Sequence, residues 1–191
     1  MRLALYCPVY GYYEKEEDKI GRQGDYYTSV SVGSLFGELL AFQFAQWLEE
    51  LALEAPRGAL HLVEAGAHDG RLAKDILTWM RQHRPEIFQR LEYWIVEPSN
   101  IRQTWQKRTL VEFSSQTHWA TEFGAPPLFP RVRGIIFSNE LLDALPVKRL
   151  DWNAGDRIWF EWGVTLNAGQ FVWTRMAGGY KVTSLQGYKG M

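Results

Sequence analysis

The sequence predicts an α/β fold organised around a mostly parallel sheet, and two observations lead to this prediction. First, an apolar run over Ala59–Glu64 is followed by Gly66 and Gly70, and the residues after them are apolar at helical spacing. A strand, a glycine turn and a helix in that order form the first half of a βαβ unit. Second, the apolar segment Leu91–Glu97 follows that helix as a second strand, which is the order that parallel pairing requires.

Further segments extend this unit in both directions. Ser34–Leu53 is predicted to be a helix, because apolar residues recur on one face, Ser34 suits an N-cap and Glu38 lies in the first turn. The residues of that apolar face are Phe36, Leu40, Phe44, Trp47, Leu48 and Leu51. After the glycine turn we expect, in order, a helix over Arg71–His83, the strand Leu91–Glu97, a helix over Asn100–Arg108 capped by Ser99, a strand over Leu110–Ser114, a loop over Thr117–Pro130 and a buried strand over Gly134–Ser138.

The predicted elements divide the chain into four parts. Residues 1–58 form an aromatic turn, a polar loop and a helix that packs on the core, and residues 59–147 form the parallel-sheet core. Residues 148–176 form an inserted antiparallel β-meander, because the short segments Val147–Trp152, Arg157–Val164 and Gln170–Arg175 are separated by turns that contain Asn and Gly. Residues 177–191 form a loose, glycine-rich tail without a recognisable pattern.

Composition bounds the class of protein. The 191 residues are 46% hydrophobic, enough for one domain with its own core, and the net charge of −1 excludes a general attraction to nucleic acid or anionic membranes. Cys7 is the single cysteine, which excludes an internal disulfide and favours a reducing compartment. No apolar run approaches the roughly 20 residues that span a bilayer. Without a signal or transit peptide we expect a cytoplasmic location, or a mitochondrial one if a eukaryotic N-terminal segment precedes this sequence.

Polar residues follow three of the predicted core strands at the point where each strand ends. Glu64 stands two residues before Gly66, Glu97 ends the second strand, and Asn139 with Glu140 follow the last strand of the core. Because the carboxyl ends of parallel strands meet at one edge of a sheet, we expect these residues to converge there. A carboxylate at Glu97 is placed to accept the hydroxyl hydrogens of a ribose, so the pattern predicts a nucleoside cofactor.

Two kinds of nucleoside cofactor compete for this edge. A dinucleotide needs a glycine beside its pyrophosphate, and the turn between Gly66 and Gly70 lacks the middle one. The two acids, Glu64 and Glu97, suit S-adenosylmethionine better, because it carries a sulfonium and an ammonium group and no phosphate. His68 has no second His or Cys at ligand spacing, so no metal site is predicted.

Each of these polar features also has a purely structural interpretation. Glu97 is suited to capping the helix that follows it. Glu140 and Asp143 are three residues apart and would share a face of a helical turn, either as helix-start acids or as paired carboxylates facing a cationic acceptor. The aromatic turn Leu3–Tyr13 is either a packing lid or one wall of a ligand cleft, and Ile20–Ser29 is either an ordinary surface loop or a ligand-contacting one.

Six segments together carry a resemblance to a known family: Leu3–Tyr13, Ile20–Ser29, Leu35–Leu40, Val63–Gly70, Ile95–Ser99 and Asn139–Val147. They resemble the MidA family, S-adenosylmethionine-dependent methyltransferases whose mitochondrial members methylate an arginine of a respiratory complex I subunit and assist its assembly. The resemblance implies a class I methyltransferase (Rossmann-like) fold, S-adenosylmethionine as cofactor, and a protein substrate with an arginine acceptor.

The resemblance also implies roles for individual residues. It implies cofactor contacts at Glu64, Gly66, Gly70 and Glu97, and in the polar loop at Gly24, Asp25, Tyr26, Tyr27, Thr28 and Ser29. It places Asn139, Glu140 and Asp143 beside the point of methyl transfer.

The sequence departs from the family pattern in two respects. The family's turn usually reads Gly-Pro-Gly-x-Gly, whereas His68 here replaces the middle glycine, so we expect a narrower methionine end of the pocket. Family members continue well past this length, so we expect a truncated member in which Gly134–Ser138 lies at an exposed sheet edge and favours self-association. Two alternatives stay open: a non-catalytic assembly protein that retains the fold, and a nucleotide-dependent oxidoreductase.

Overall fold

A computed structural model of the chain describes residues 1–7, 9–14, 33–54, 57–124 and 132–176. The chain divides into two compact units, one from Arg2 to Leu145 and one formed by Pro146 onward together with Met1. Within the described ranges, no helix is both long enough and apolar enough to cross a membrane.

The first unit is built on a four-stranded parallel sheet, as predicted. Its elements are α1 (Arg2–Tyr6), α2 (Leu35–Glu54), β1 (Leu60–Ala65), α3 (Arg71–His83), α4 (Pro85–Arg90), β2 (Leu91–Val96), α5 (Asn100–Thr109), β3 (Thr117–Ala120) and β4 (Gly134–Ser138). Short 3-10 turns lie at Tyr12–Glu14, Val111–Phe113 and Leu142–Ala144. The strand order is β3-β2-β1-β4, so the chain crosses from one side of β1 to the other between β3 and β4.

The main core packs α2 and α3 against β1 and β2. Small residues make the contact between the two helices close: a Cβ at Gly37 would lie 2.6 Å from the Cβ of Asp75, and Ala41 is fully buried. The sequence prediction placed Trp47 on the buried face of α2, which is wrong, because that ring is 46% exposed. Phe44 and Leu48 of the predicted apolar face are buried, and with them the small residues Gly37, Ala41 and Ala45, so that α3 can approach the backbone of α2.

The third strand lies further along the chain than predicted. A strand over Leu110–Ser114 was expected, but that segment contains the 3-10 turn Val111–Phe113. Leu110 and Phe113 are both buried, and their spacing of three residues matches one turn of a 3-10 helix. The strand is Thr117–Ala120, within the predicted loop, and it pairs in parallel with β2.

Three smaller differences from the prediction concern two short helices and the last strand of the first unit. A short helix, α1, occupies part of the expected aromatic turn, and α4, which begins at Pro85, was not predicted. Pro85 suits the first turn of a helix because its missing N–H is not needed there. β4 was predicted to be a buried strand, but Ile136 is 56% exposed, because among the described residues β4 has a neighbouring strand on one side only. The second expectation, that Gly134–Ser138 lies at an exposed sheet edge, agrees with this order of strands.

The second unit is the predicted antiparallel meander, with β5 (Arg149–Asn153), β6 (Ile158–Asn167) and β7 (Gln170–Arg175) in that order. Cation–π contacts join its strands, with Arg149 4.6 Å from the Trp173 ring and Arg175 4.1 Å from the Phe160 ring. The predicted tail, residues 177–191, lies outside the described residues.

Candidate ligand site at the carboxyl edge of the sheet

The parallel register brings three strand ends together. Ala65, the last residue of β1, pairs with Val96 of β2 on one side and with Ser138 of β4 on the other. The residues that follow these strands therefore leave the sheet side by side, and Gly66 N donates a 3.3 Å hydrogen bond to Val96 O. This confirms that the three strand ends converge as predicted. The edge between β1 and β4 is where an open α/β sheet reverses its strand order and binds ligands.

The glycine turn between β1 and α3 uses the left-handed backbone region three times. φ is 75° at Gly66, 47° at His68 and 86° at Gly70. Glycine adopts these angles without steric penalty, and His is among the residues that tolerate them. Close packing is a second requirement at Gly70, because a Cβ there would lie 3.4 Å from the Cα of Gln106 on α5.

Asp69 stabilises the start of α3 from within this turn. Its Oδ1 accepts a 3.1 Å hydrogen bond from Arg71 N, and its Oδ2 lies 2.8 Å from Arg71 Nε. Burial alone would raise the pKa of Asp69, but hydrogen bonds from His68 and from the Arg71 N–H outweigh burial and hold that pKa below its ordinary value. The negative charge is thus kept at the positive end of the helix dipole.

Glu97 lies just past the end of β2 and is only 5% exposed. Its Oε1 accepts a 2.9 Å hydrogen bond from Ser99 N, and its Oε2 accepts one of 3.3 Å from the side-chain amide of Gln106. Ser99 in turn caps α5, since its Oγ accepts from Arg102 N at 3.4 Å. Glu97 therefore supports the start of α5, and it does so at the predicted ligand edge.

Gln106 is a site residue that the sequence analysis missed. It is fully buried, and its Nε2 donates to His68 O at 3.0 Å as well as to Glu97, while its Oε1 accepts from Trp119 Nε1 at 2.9 Å. No apolar pattern marked this position, because α5 is mostly polar and Gln106 is its single buried residue.

Glu64 lies in the main core rather than at the surface of the edge. It is 2% exposed, and its Oε2 accepts a 2.7 Å hydrogen bond from the Tyr93 hydroxyl. Burial raises the pKa of Glu64 from 4.5 to about 7, and the bond from Tyr93 only partly offsets that effect. Its predicted contact with a cofactor stays a prediction.

The segment after β4 carries the three predicted catalytic residues. Asn139 is half-buried, whereas Glu140 and Asp143 are exposed. The expectation that Glu140 and Asp143 share a face of one helical turn is wrong, because Glu140 has a φ of 50° and the 3-10 turn begins only at Leu142. Leu141 between them contacts the glycine turn, since a Cβ added at Gly66 would lie 2.6 Å from its Cδ1.

The N-terminal aromatic segment contacts both sides of this edge. The Tyr6 hydroxyl donates to Ala144 O in the segment after β4, and Arg102 Nη2 of α5 donates to Tyr13 O at 3.0 Å. The two tyrosine rings stack on each other with centroids 5.6 Å apart. This geometry favours the interpretation of the segment as one wall of a cleft.

The polar loop and metal binding are the two remaining points of the sequence prediction. The predicted cofactor contacts in the polar loop, Gly24, Asp25, Tyr26, Tyr27, Thr28 and Ser29, lie outside the described residues. Among the described residues, no group of three or more His, Cys, Asp or Glu side chains is arranged to hold a metal ion.

A family model matches residues 39–186, a span that contains the whole described sheet, the glycine turn, Glu97 and Gln106. The family is described as "Putative S-adenosyl-L-methionine-dependent methyltransferase". The chain belongs to this family. Together with the relatives and solved structures described next, this match confirms the resemblance to MidA proteins found in the sequence.

Two curated relatives of this methyltransferase family member are mitochondrial proteins. The protein arginine methyltransferase NDUFAF7 of Danio rerio is 31% identical over 167 residues, which cover 78% of this chain and 38% of the relative. The Drosophila melanogaster homologue of NDUFAF7 is 27% identical over 165 residues, covering 78% of this chain and 37% of the relative. The chain thus spans about two fifths of the length of the curated relatives it matches.

Solved structures agree with the family assignment. A Burkholderia thailandensis protein, titled a "likely methyl transferase" and bound to S-adenosyl-homocysteine, superposes with a TM-score of 0.70 at 29% identity, covering 92% of this chain and 43% of that one. A native crystal structure from the same organism gives a TM-score of 0.63 at 31% identity, covering 92% and 41%. The predicted class I methyltransferase fold is therefore confirmed for this family member.

Proposed function

We propose that this chain carries the cofactor-binding part of an S-adenosylmethionine-dependent methyltransferase whose acceptor is an arginine of a protein. One observation carries the proposal: the glycine turn after β1 is hydrogen-bonded to the end of β2, and the buried carboxylate of Glu97 follows immediately. That is where the ribose of a nucleoside cofactor binds in an open α/β sheet.

The chemistry of the edge fits a cationic nucleoside without phosphate groups. The left-handed backbone at Gly66 and Gly70 turns the chain sharply at the end of β1. A Cβ at Gly66 would meet Leu141 and one at Gly70 would meet Gln106 and Leu110, so the proposed ligand contacts of this turn are with its backbone. Arg71, the basic residue that follows the turn, is paired with Asp69 and is not positioned as a phosphate ligand. The Glu97 carboxylate accepts hydrogen bonds from Ser99 N and the Gln106 amide, which hold it in a fixed orientation at this edge.

The proposed roles then follow from position. Glu97 would accept the ribose hydroxyls, and the backbone from Gly66 to Gly70 would line the methionine end, where His68 limits the width. When bound, S-adenosylmethionine would supply a methyl group activated by its sulfonium: an acceptor nitrogen would bond to the methyl carbon as the carbon–sulfur bond breaks on the opposite side, and S-adenosylhomocysteine would be the leaving group. Alignment of the acceptor is the main requirement of such a step.

Glu140 and Asp143 are the proposed partners of the acceptor guanidinium. Both are exposed in the segment that leaves β4 at the same edge, so an incoming side chain can reach them. A guanidinium stays protonated in proteins and binds carboxylates through a planar fork, so paired acids would orient it and receive the proton released on methylation. The names of the zebrafish and Drosophila relatives, both protein arginine methyltransferases, support arginine as the acceptor.

Calorimetry tests the cofactor, and a transfer assay tests the reaction. We expect saturable binding of S-adenosylmethionine and S-adenosylhomocysteine and none of NAD. Binding of NAD alone would overturn the proposal in favour of an oxidoreductase. Transfer of labelled methyl groups to arginine peptides, and not to matched lysine peptides, would support the acceptor, whereas cofactor binding with no transfer would favour a non-catalytic assembly protein.

A further inference from the structure

Gln106 joins three elements of the candidate site through one side chain. Its amide bonds the carbonyl of His68 in the glycine turn, the carboxylate of Glu97 after β2, and the indole of Trp119 on β3. The distances are 3.0, 3.3 and 2.9 Å, and Gln106 itself is 0% exposed. The bonds therefore form away from competing water, where their geometry matters most.

These partners permit only one orientation of the amide. The Trp119 indole N–H can only donate, so it requires the amide oxygen of Gln106. The His68 carbonyl and the Glu97 carboxylate can only accept, so they require the two hydrogens of Nε2. A flipped amide would set donor against donor at Trp119 and acceptor against acceptor at His68 and Glu97. An apolar residue at this position would remove all three hydrogen bonds.

We propose that Gln106 is a positioning residue for the nucleoside subsite, which holds the Glu97 carboxylate and the glycine turn at a fixed separation. The inference rests on the proposed function, because it assigns to Glu97 the binding of the ribose. Gln106 does not touch the ligand in this proposal. It acts through Glu97, whose Oε2 it holds, and through His68, whose carbonyl lies between Gly66 and Gly70.

Close packing of α5 on the turn supports the same role. The Cα of Gln106 lies 3.4 Å from where a Cβ of Gly70 would be, so a side chain at Gly70 would be in close van der Waals contact with the helix backbone. A glutamine side chain at this point reaches both acceptors while the backbone stays in contact with Gly70. The arrangement links the two strand-end elements that a ribose and a methionine moiety would contact together.

The test compares two substitutions at Gln106 with a buried polar control. Gln106→Glu keeps the shape but sets a second carboxylate beside Glu97, and Gln106→Met keeps the volume without any polar group. Thr117→Val is the control, because Thr117 is also buried and its Oγ1 bond to Phe113 O lies at the opposite end of β3 from the ligand edge. Each variant is titrated with S-adenosylhomocysteine by calorimetry from pH 5.5 to 8, and its free energy of unfolding is measured in urea.

We expect Gln106→Met to weaken S-adenosylhomocysteine binding about tenfold or more at every pH, as for loss of a hydrogen bond to a charged group. Gln106→Glu should bind weakly at pH 8 and recover towards wild type at pH 5.5, because two adjacent carboxylates take up a shared proton. Affinities are expressed relative to wild type at each pH, since other groups titrate nearby. Among the described residues, the titratable or charged groups at the ends of β1 and β2, in the turn, on β2, on β3 and on α5 are Glu64, His68, Asp69, Glu92, Tyr93, Glu97, Arg102, Lys107, Arg108 and His118.

The outcomes separate the inference from the proposed function. Thr117→Val should lose stability but keep its affinity. If both Gln106 variants lose stability and also bind like wild type, Gln106 has only a structural role and the inference is overturned. If wild type itself does not bind S-adenosylhomocysteine, the proposed function fails, and the inference fails with it.

Discussion

The Tyr93 hydroxyl donates a 2.7 Å hydrogen bond to Glu64 Oε2, with both side chains buried. Burial raises the pKa of Glu64 from 4.5 to about 7. The folded protein therefore keeps the Glu64 proton over a pH range in which the unfolded chain releases it. The stability contributed by this protonated carboxyl is fully present below about pH 4.5 and is lost as the pH rises to about 7.

Glu64→Gln should flatten this pH dependence. The amide cannot ionise but still accepts a hydrogen bond from Tyr93, so the free energy of unfolding should vary less between pH 4.5 and 7 than in wild type. Urea unfolding at constant ionic strength measures the difference. Tyr93→Phe is the companion variant: it removes a bond that lowers the pKa of Glu64, so the loss of stability should extend to higher pH. An unchanged pH slope in Glu64→Gln would contradict the assignment.

Glu97→Ala should weaken S-adenosylmethionine binding by about 1.5–3 kcal/mol, the range for hydrogen bonds to a charged acceptor. Calorimetry on the folded variant measures this loss. Glu86→Ala is the matched control, since Glu86 is an exposed acid on α4, away from the ligand edge. Equal affinities for the wild-type protein and a folded Glu97→Ala variant would remove Glu97 from the site.

Gly66→Ala should destabilise the protein more than Gly124→Ala. Both glycines have similar positive angles, with φ of 75° and 78°, so an alanine at either position adds about 1–2 kcal/mol of backbone strain. At Gly66 the new Cβ would also collide with Leu141, whereas no residue that the structure describes lies within 4 Å of a Cβ at Gly124.

The excess destabilisation of Gly66→Ala should shrink in a Leu141→Ala background, where the colliding methyl group is absent. Any loss of S-adenosylhomocysteine affinity in Gly66→Ala should be recovered in that double variant, because the added Cβ meets the Leu141 side chain. A loss of affinity that persists in the double variant would show that the added Cβ also enters the cofactor cleft. Urea unfolding and calorimetry supply the two measurements.

Neutralising Glu140 and Asp143, as Glu140→Gln with Asp143→Asn, should reduce kcat for methyl transfer and leave cofactor affinity nearly unchanged. The reason is that both acids are proposed to contact only the acceptor. Glu122→Gln is a control at an exposed acid. A loss of cofactor affinity as large as the loss of rate would show that the two acids belong to the cofactor pocket.

The exposed edge of the parallel sheet should promote association between copies of the chain. Ile136 on β4 is 56% exposed, and the described residues pair β4 only with β1. An unpaired strand edge with apolar side chains is a template for pairing with another chain. Light scattering should therefore show mass increasing with concentration.

Ile136→Lys should reduce this association, because a charge on an edge strand opposes pairing. Val164→Lys is the matched control, since Val164 on β6 is 57% exposed but belongs to the other sheet. A strictly monomeric wild-type chain would contradict the prediction.

Local signals were sufficient for most of the first unit. The glycine turn and α3 were predicted correctly because both depend on local features of the sequence: glycines where φ is positive, and apolar residues at helical spacing. Parallel order of the sheet followed from strand–helix alternation, and with it the convergence of Gly66, Glu97 and Asn139. Ser99 was likewise recognised as the N-cap of α5 from its position alone.

Local signals failed where pairing or packing at long range decides the structure. Leu110 and Phe113 were predicted to lie in a strand, but they flank or belong to a 3-10 turn. The residues that pair with β2 in the sheet are Thr117–Ala120. The helical spacing that grouped Glu140 with Asp143 was misleading, because the chain leaves β4 through a left-handed residue before the 3-10 turn starts.

The sequence by itself determined the parallel α/β core, the glycine turn and the presence of acids at the strand ends, since these depend on residue type and spacing. Only the tertiary structure decided the burial and the hydrogen-bond partners of each acid. It placed Glu64 in the core, bonded to Tyr93, 29 residues later in the chain. It also bonded Glu97 to Gln106, nine residues later, on the far side of the helix start that Ser99 caps. The physical reason is that burial and hydrogen-bond partners set the state of a polar side chain, and these partners come from distant segments that meet only when the sheet has formed.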